Sequence, residues 1–121
     1  MHSLDLNKMS NGEINVITHQ CDLIYYDGPL LSLYQHDSKN KVILMALSSE
    51  NNNERWAIFK VENNSIDEYL NDKIDLRTLC LNQENIFIAE FDSNFNIQEF
   101  KKIAIKEYKE EDLPLPELFH N

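Results

Sequence analysis

Four β-prone runs crowd the first half of the chain: CDLIYY at 21–26, PLLSLYQH at 29–36, KVILMALS at 41–48 and RWAIFKV at 55–61. Asp-Gly, Ser-Lys-Asn and Ser-Glu-Asn-Asn-Asn-Glu stand between them. Strand-length apolar segments punctuated by turn chemistry read as a meander of antiparallel strands. The unbroken apolar run 42–47 suits a central strand. RWAIFKV sets Trp56 and Ile58 against Ala57, Phe59 and Val61, so both of its faces are expected to be partly covered.

The first connection is unusual because Pro29 follows Asp27-Gly28. Asp-Gly between two apolar runs is a strong hairpin signal. A two-residue turn would pair Tyr26 with residue 29, however, and Pro29 has no N–H to give. A wider loop or a sharp bend is expected instead, with Gly28 supplying a positive φ before proline and Asp27 accepting a local backbone N–H.

Elsewhere the periodicity is shorter. Residues 1–12 are polar and read as a lightly ordered leader, followed by a short strand from Ile14 and Val16. Ser65-Ile66-Asp67-Glu68 matches a capping box, with Ile66, Tyr69 and Leu70 on one face of a short helix. Asp75 can cap a second helix presenting Leu76, Leu79 and Cys80 inward. Residues 84–91 read as a strand. In 97–108 Ile97, Phe100, Ile103 and Ala104 fit a helical stripe, whereas the later half, IAIKEY, alternates like a strand, the reading favoured there. The end, 109–121, is an acidic tail with two prolines and with Leu113, Leu115, Leu118 and Phe119 available to dock.

The chain is expected to form one α+β domain over 1–121: an antiparallel sheet of five to six strands with two short helices inserted after the fourth. Apolar residues at 42% and charged residues at 26% suit a folded globular chain. No apolar run approaches the roughly 20 residues of a membrane-spanning helix. The start lacks a basic stretch followed by an apolar one, so a cytoplasmic setting with no membrane association is expected. There Cys21 and Cys80 would be reduced thiols.

The net charge of −10 is uneven: residues 1–60 hold 7 acids and 5 bases, residues 61–121 hold 14 and 6. A basic protein partner is favoured over direct nucleic-acid binding, which calls for a cationic face.

The segments YYDGPLLSL, KVILMALSSENNNERWAIFKV and IDEYLNDKIDLRTLCLN, within residues 21–82, resemble an uncharacterised family of small bacterial domains. That family shows a YYDGPLLF-like segment, two strands, a helix with a Leu-Lys-Ser-Gly-like end and an Ile-x-Leu-Arg segment. Residues 25–31 match the first segment; Ile74, Leu76 and Arg77 match the last. Asn71-Asp72 stands where the family often has Ser-Gly. The resemblance implies a fold and a bacterial or phage setting, and no reaction.

Candidate chemistry is sparse. Asp92 with Glu99 and Lys101 echoes the D…ExK pattern of metal-dependent nucleases. A solvated charged strand face explains the same residues. His36-Asp37 lacks the further His and Asp of a metal phosphohydrolase. His19 and Cys21, even with His36 or Cys80, give one close ligand pair where structural zinc shows two. No cofactor or metal site is expected. Tyr25, Tyr26 and Asp27 are candidates for the rim of a partner-binding face, and Arg77 for clamping a carboxylate such as Asp27 or Glu68. The favoured reading is a non-enzymatic interaction module of antitoxin, immunity or inhibitor type. A small metal-dependent nuclease or hydrolase and a homodimeric module are the alternatives.

Overall fold

The computed structural model describes residues 3–25, 29–48, 52–94 and 96–120. They form one sheet of seven strands: β1 (Ser3–Asp5), β2 (Val16–Tyr25), β3 (Pro29–Gln35), β4 (Asn40–Ala46), β5 (Glu54–Glu62), β6 (Asn85–Phe91) and β7 (Ile97–Ala104). Every strand pairs antiparallel with its sequence neighbour, in the order β1 to β7. The helices α1 (Asn63–Leu70) and α2 (Leu76–Leu81) fill the connection from β5 to β6, and two 3₁₀ turns, Ile105–Glu107 and Glu110–Asp112, follow β7.

The α+β architecture agrees with the sequence reading, but the strand count and helix placement do not. The sheet has seven described strands rather than five or six, and the helices follow the fifth strand rather than the fourth. The element boundaries also differ locally from the sequence reading. β1 is three residues within a polar stretch, too short to show a period. The runs 14–18 and 21–26 belong largely to one strand, β2, whose alternation is broken by register shifts between His19 and Cys21 and between Asp22 and Ile24. Ile17, not Val16, faces inward: Val16 is 52% exposed and Ile17 fully buried. In the last region β7 occupies the first half, and Ile105–Glu107 turns into a 3₁₀ helix.

The sheet is apolar on both faces, so both need cover. Leu31, Leu33, Ile43, Met45, Ala57, Phe59, Val61, Ile86 and Ile88 point to one side, where Ile66 and Tyr69 of α1, Leu76, Leu79 and Cys80 of α2, and Tyr108 pack on them. Ile17, Tyr34, Val42, Leu44, Ile58, Phe87, Ala89 and Phe91 point to the other, where Leu6 and Ile14 close over them. Full burial stabilises each such large apolar side chain by about 1.5–3 kcal/mol relative to exposure. The stretch expected to be a lightly ordered leader thus supplies part of a core. Ser10, buried there, donates to Ile14 O at 2.8 Å and accepts from Ile14 N at 2.9 Å. Lys102 of β7 meets Glu13 at 2.9 Å, joining this segment to the last strand.

α1 starts three residues earlier than the capping box suggests. Its N-cap is Glu62, with no side-chain cap bond. β5 runs straight into the helix, and Asn63 is anchored by the preceding β3–β4 turn, donating N–H to Lys39 O at 3.0 Å and Nδ2–H to Ser38 O at 3.1 Å. At the far end Asp72 N–H donates to Tyr69 O and Lys73 N–H to Glu68 O, with Asp72 at φ 60°. This is a Schellman closure whose left-handed position is usually glycine. α2 is capped as expected, Asp75 accepting from Thr78 N–H at 2.8 Å.

Candidate functional site

Both arginines of the chain are aimed at one short C-terminal stretch. Arg55 enters from the start of β5: Nη1 lies 3.4 Å from Asp112 Oδ1 and Nη2 3.1 Å from Oδ2, and each residue is only 8% exposed. Nη1 also donates to Ser48 O at 3.4 Å. Two parallel contacts match the planar guanidinium to the carboxylate. Tyr108 donates its hydroxyl to Asp112 O at 3.2 Å. Burial raises the Tyr108 hydroxyl's pKa, Asp112 adds to that, and Arg55 opposes it.

Arg77, on α2, donates to Pro114 O at 3.0 Å and pairs with Glu110. Asp75 uses both carboxylate oxygens, one capping α2 and one accepting Glu117 N–H at 2.8 Å. These hydrogen bonds, with Thr78 first, hold its carboxyl below the usual carboxylate range. Leu76 N–H donates to Leu118 O at 2.9 Å, and the His120 ring meets Tyr69 of α1 edge-on at 5.7 Å. The tail therefore docks on its own chain, across α2 and onto α1.

The docked tail forms one wall of an apolar groove of about 400 Å³. Ile24, Leu31, Met45 and Leu47 line the sheet side; Leu76, Leu113, Pro114 and Leu118 line the other, with Glu111 at the rim. Leu30 also lines it and is 41% exposed, as are Leu118 at 41% and nearby Phe119 at 42%.

A polar cluster on the opposite sheet face has no sequence motif. His19 Nε2 lies 2.8 Å from Asp22 Oδ1, and Ser32 Oγ donates to the same oxygen at 2.7 Å. Residues 19 and 22 would face opposite sides of a regular strand. The shift that leaves Gln20 between the pairs His19↔Tyr34 and Cys21↔Leu33 puts them on one side. Ser, His and Asp are the residue types of acyl-transfer sites, but the Ser32 proton is directed at Asp22, so His19 is not placed as its base. The neighbouring Tyr34 hydroxyl is pushed up to about 12, first by burial and then by Asp22.

The residues singled out from sequence fare differently. Tyr25 ends β2 opposite Pro29, so pairing closes one residue earlier than a two-residue turn would require. Tyr26, Asp27 and Gly28 lie outside the described residues. Arg77 does clamp a carboxylate, that of Glu110 rather than Glu68. Asp92 closes a turn by accepting from Asn94 N–H, Asn96 N–H and Gln98 Nε2, each at 2.9 Å. Glu99 pairs with Lys101 at 3.4 Å on β7, and its carboxyl is held low by Glu90, its cross-strand neighbour, and then by Lys101. Among the described residues no group of three or more His, Cys, Asp or Glu is placed to hold a metal ion. Asp37 of the His-Asp pair organises a turn, accepting from Lys39 N–H and Asn40 N–H at 2.8 Å. Cys80 is buried, which pushes its thiol up to about 12, while Cys21 is exposed. Arg55 and Asp112 carry no sequence signal: Arg55 opens an apolar strand and Asp112 ends an acidic run.

No family model, curated protein or solved structure matches this chain. No helix among the described residues is long and apolar enough to cross a membrane.

Proposed function

We propose that this chain is a non-enzymatic protein-interaction module that takes a basic partner on its acidic second half, in an antitoxin, immunity or inhibitor role in a bacterial or phage setting. The observation that carries the reading is the groove beside the docked tail. Its floor is apolar, Leu30 and Leu118 reach its surface, and Glu111 stands at its rim. Glu107, Glu110 and Glu117 are exposed along the same tail. A partner segment with apolar side chains flanked by Lys or Arg complements such a surface in shape and charge. The carboxylates that suggested metal chemistry are engaged in a turn and in a strand-face ion pair, which supports a binding role over a catalytic one.

The test is affinity capture from the native host at low salt, comparing wild type with Leu30→Glu and Glu111→Lys, followed by direct titration of the purified captured protein. A partner with a basic surface that binds wild type and loses at least about tenfold in affinity for both variants supports the reading. A captured set, or an affinity, that is the same for all three proteins contradicts it.

A further inference from the structure

β7 is the last strand of the sheet, and among the described residues nothing pairs with its outer edge. Its sequence, Ile97-Gln98-Glu99-Phe100-Lys101-Lys102-Ile103, is nearly self-complementary about Phe100. Two copies laid antiparallel with Phe100 opposite Phe100 would set Ile97 against Ile103, Gln98 against Lys102, and Glu99 against Lys101, each contact occurring twice. The sums of paired positions are even, so residues whose N–H and C=O point outward meet residues that do the same.

We infer that the β7 edge is a self-association surface, on which a second copy of this chain adds its own β7 to give an isologous antiparallel dimer. The surface is open to such a partner: the Glu99, Lys101 and Lys102 side chains are 49%, 54% and 44% exposed. Ile103 and Phe100 lie at the margins of the two apolar clusters, and Phe100 stacks on Phe87 at 5.3 Å, so a partner strand would extend both clusters.

Lysines on an edge strand ordinarily discourage strand addition. Here the charges discriminate between registers instead. Moving the twofold by one residue toward the C-terminus sets Lys101 against Lys101 and Glu99 against Ile103. Moving it the other way sets Glu99 against Glu99. A parallel arrangement in register opposes like with like throughout. Only the arrangement centred on Phe100 pairs opposite charges and joins isoleucine to isoleucine, and like charges directly opposite are destabilising. The β7 edge is separate from the groove, which lies beside the tail and β3.

Sedimentation equilibrium of the full chain tests this directly. Wild type is expected to dimerise. Glu99→Lys and Lys101→Glu each create two like-charge contacts and are expected to weaken association by at least about tenfold. The double exchange Glu99→Lys/Lys101→Glu restores both pairs and is expected to recover the wild-type affinity, and an equimolar mixture of the two single variants is expected to form heterodimers. Circular dichroism checks that each variant is folded. Independently of any variant, the amides of 97–104 should gain hydrogen-exchange protection as wild-type concentration rises. A monomer at every accessible concentration, a dimer indifferent to the single reversals, or a double exchange no better than the singles would overturn the inference.

Discussion

Arg55 and Asp112 lie 57 positions apart, yet the guanidinium and carboxylate meet at 3.1 Å with both residues 8% exposed. The pair fastens the C-terminal stretch to the start of β5 and so closes the apolar layer around Tyr108, α2 and the sheet. Taking both charges out of water is costly, and the contact persists because the geometry is two-pronged and Ser48 O accepts a further bond. The groove exists only because this tail is held in place.

Arg77 acts on the same segment through a different balance. Glu110 is 77% exposed at its side chain, whereas the Pro114 carbonyl takes a 3.0 Å bond from the same guanidinium. Exposed ion pairs contribute only about 0–1 kcal/mol, so Glu110→Gln should change stability by less than about 0.5 kcal/mol. Arg77→Met removes the donor to Pro114 as well, and should cost about 1 kcal/mol. Urea unfolding of both variants checks the order; equal losses would contradict it.

The Asp75 carboxyl gives tail docking a pH dependence of defined sign. Its folded pKa is lowered, by Thr78 first and also by Glu117 N–H. The stabilisation is therefore present above the unfolded Asp value and is lost as pH falls through the lower folded value. In an NMR titration the Glu117 amide shift should move with a midpoint below the ordinary carboxylate range, and Asp75→Asn should abolish that movement. A midpoint at the ordinary value would show that the tail does not rest on Asp75.

At the end of α1, Asp72 holds φ 60° in the position a Schellman closure gives to glycine. A left-handed conformation costs a residue with a Cβ about 1 kcal/mol, so Asp72→Gly should raise stability by up to about that amount. Thermal unfolding reads the change, and a lower midpoint would contradict it.

Much of the core was legible because burial imposes periods. Ile66 and Tyr69 on α1, Leu76, Leu79 and Cys80 on α2, and the two-sided apolar runs of β4 and β5 all lie where alternation or helical spacing puts them. What could not be read depends on contacts distant in sequence. The bulge that brings His19 and Asp22 to one face is a property of pairing with β3. The three-residue β1 exists because Leu6 and Ile14 find a second apolar face to cover. Asp112 looks like its solvated neighbours Glu110 and Glu111 until Arg55 is brought beneath it.

Tyr69 is fully buried between α1 and the sheet, and among the described residues its hydroxyl has no hydrogen-bond partner. A buried hydroxyl without a partner costs about 1–3 kcal/mol. Tyr69→Phe keeps the ring and its contact with His120, and should therefore leave stability unchanged or raise it by about 1 kcal/mol. A clear loss in urea unfolding would reveal a bonded hydroxyl.

Both the groove and the closed core require the tail to be part of the folded body, and a double-mutant cycle at Arg55 and Asp112 probes that most directly. Removing one member of a buried ion pair strands the other charge, at a cost of about 3–5 kcal/mol, whereas replacing both by apolar residues is often nearly neutral. Arg55→Met and Asp112→Leu should each be strongly destabilising, and the double variant should recover most of that loss, giving a coupling of at least about 2 kcal/mol. Single variants that unfold like wild type in urea, with losses that simply add, would contradict the docked tail.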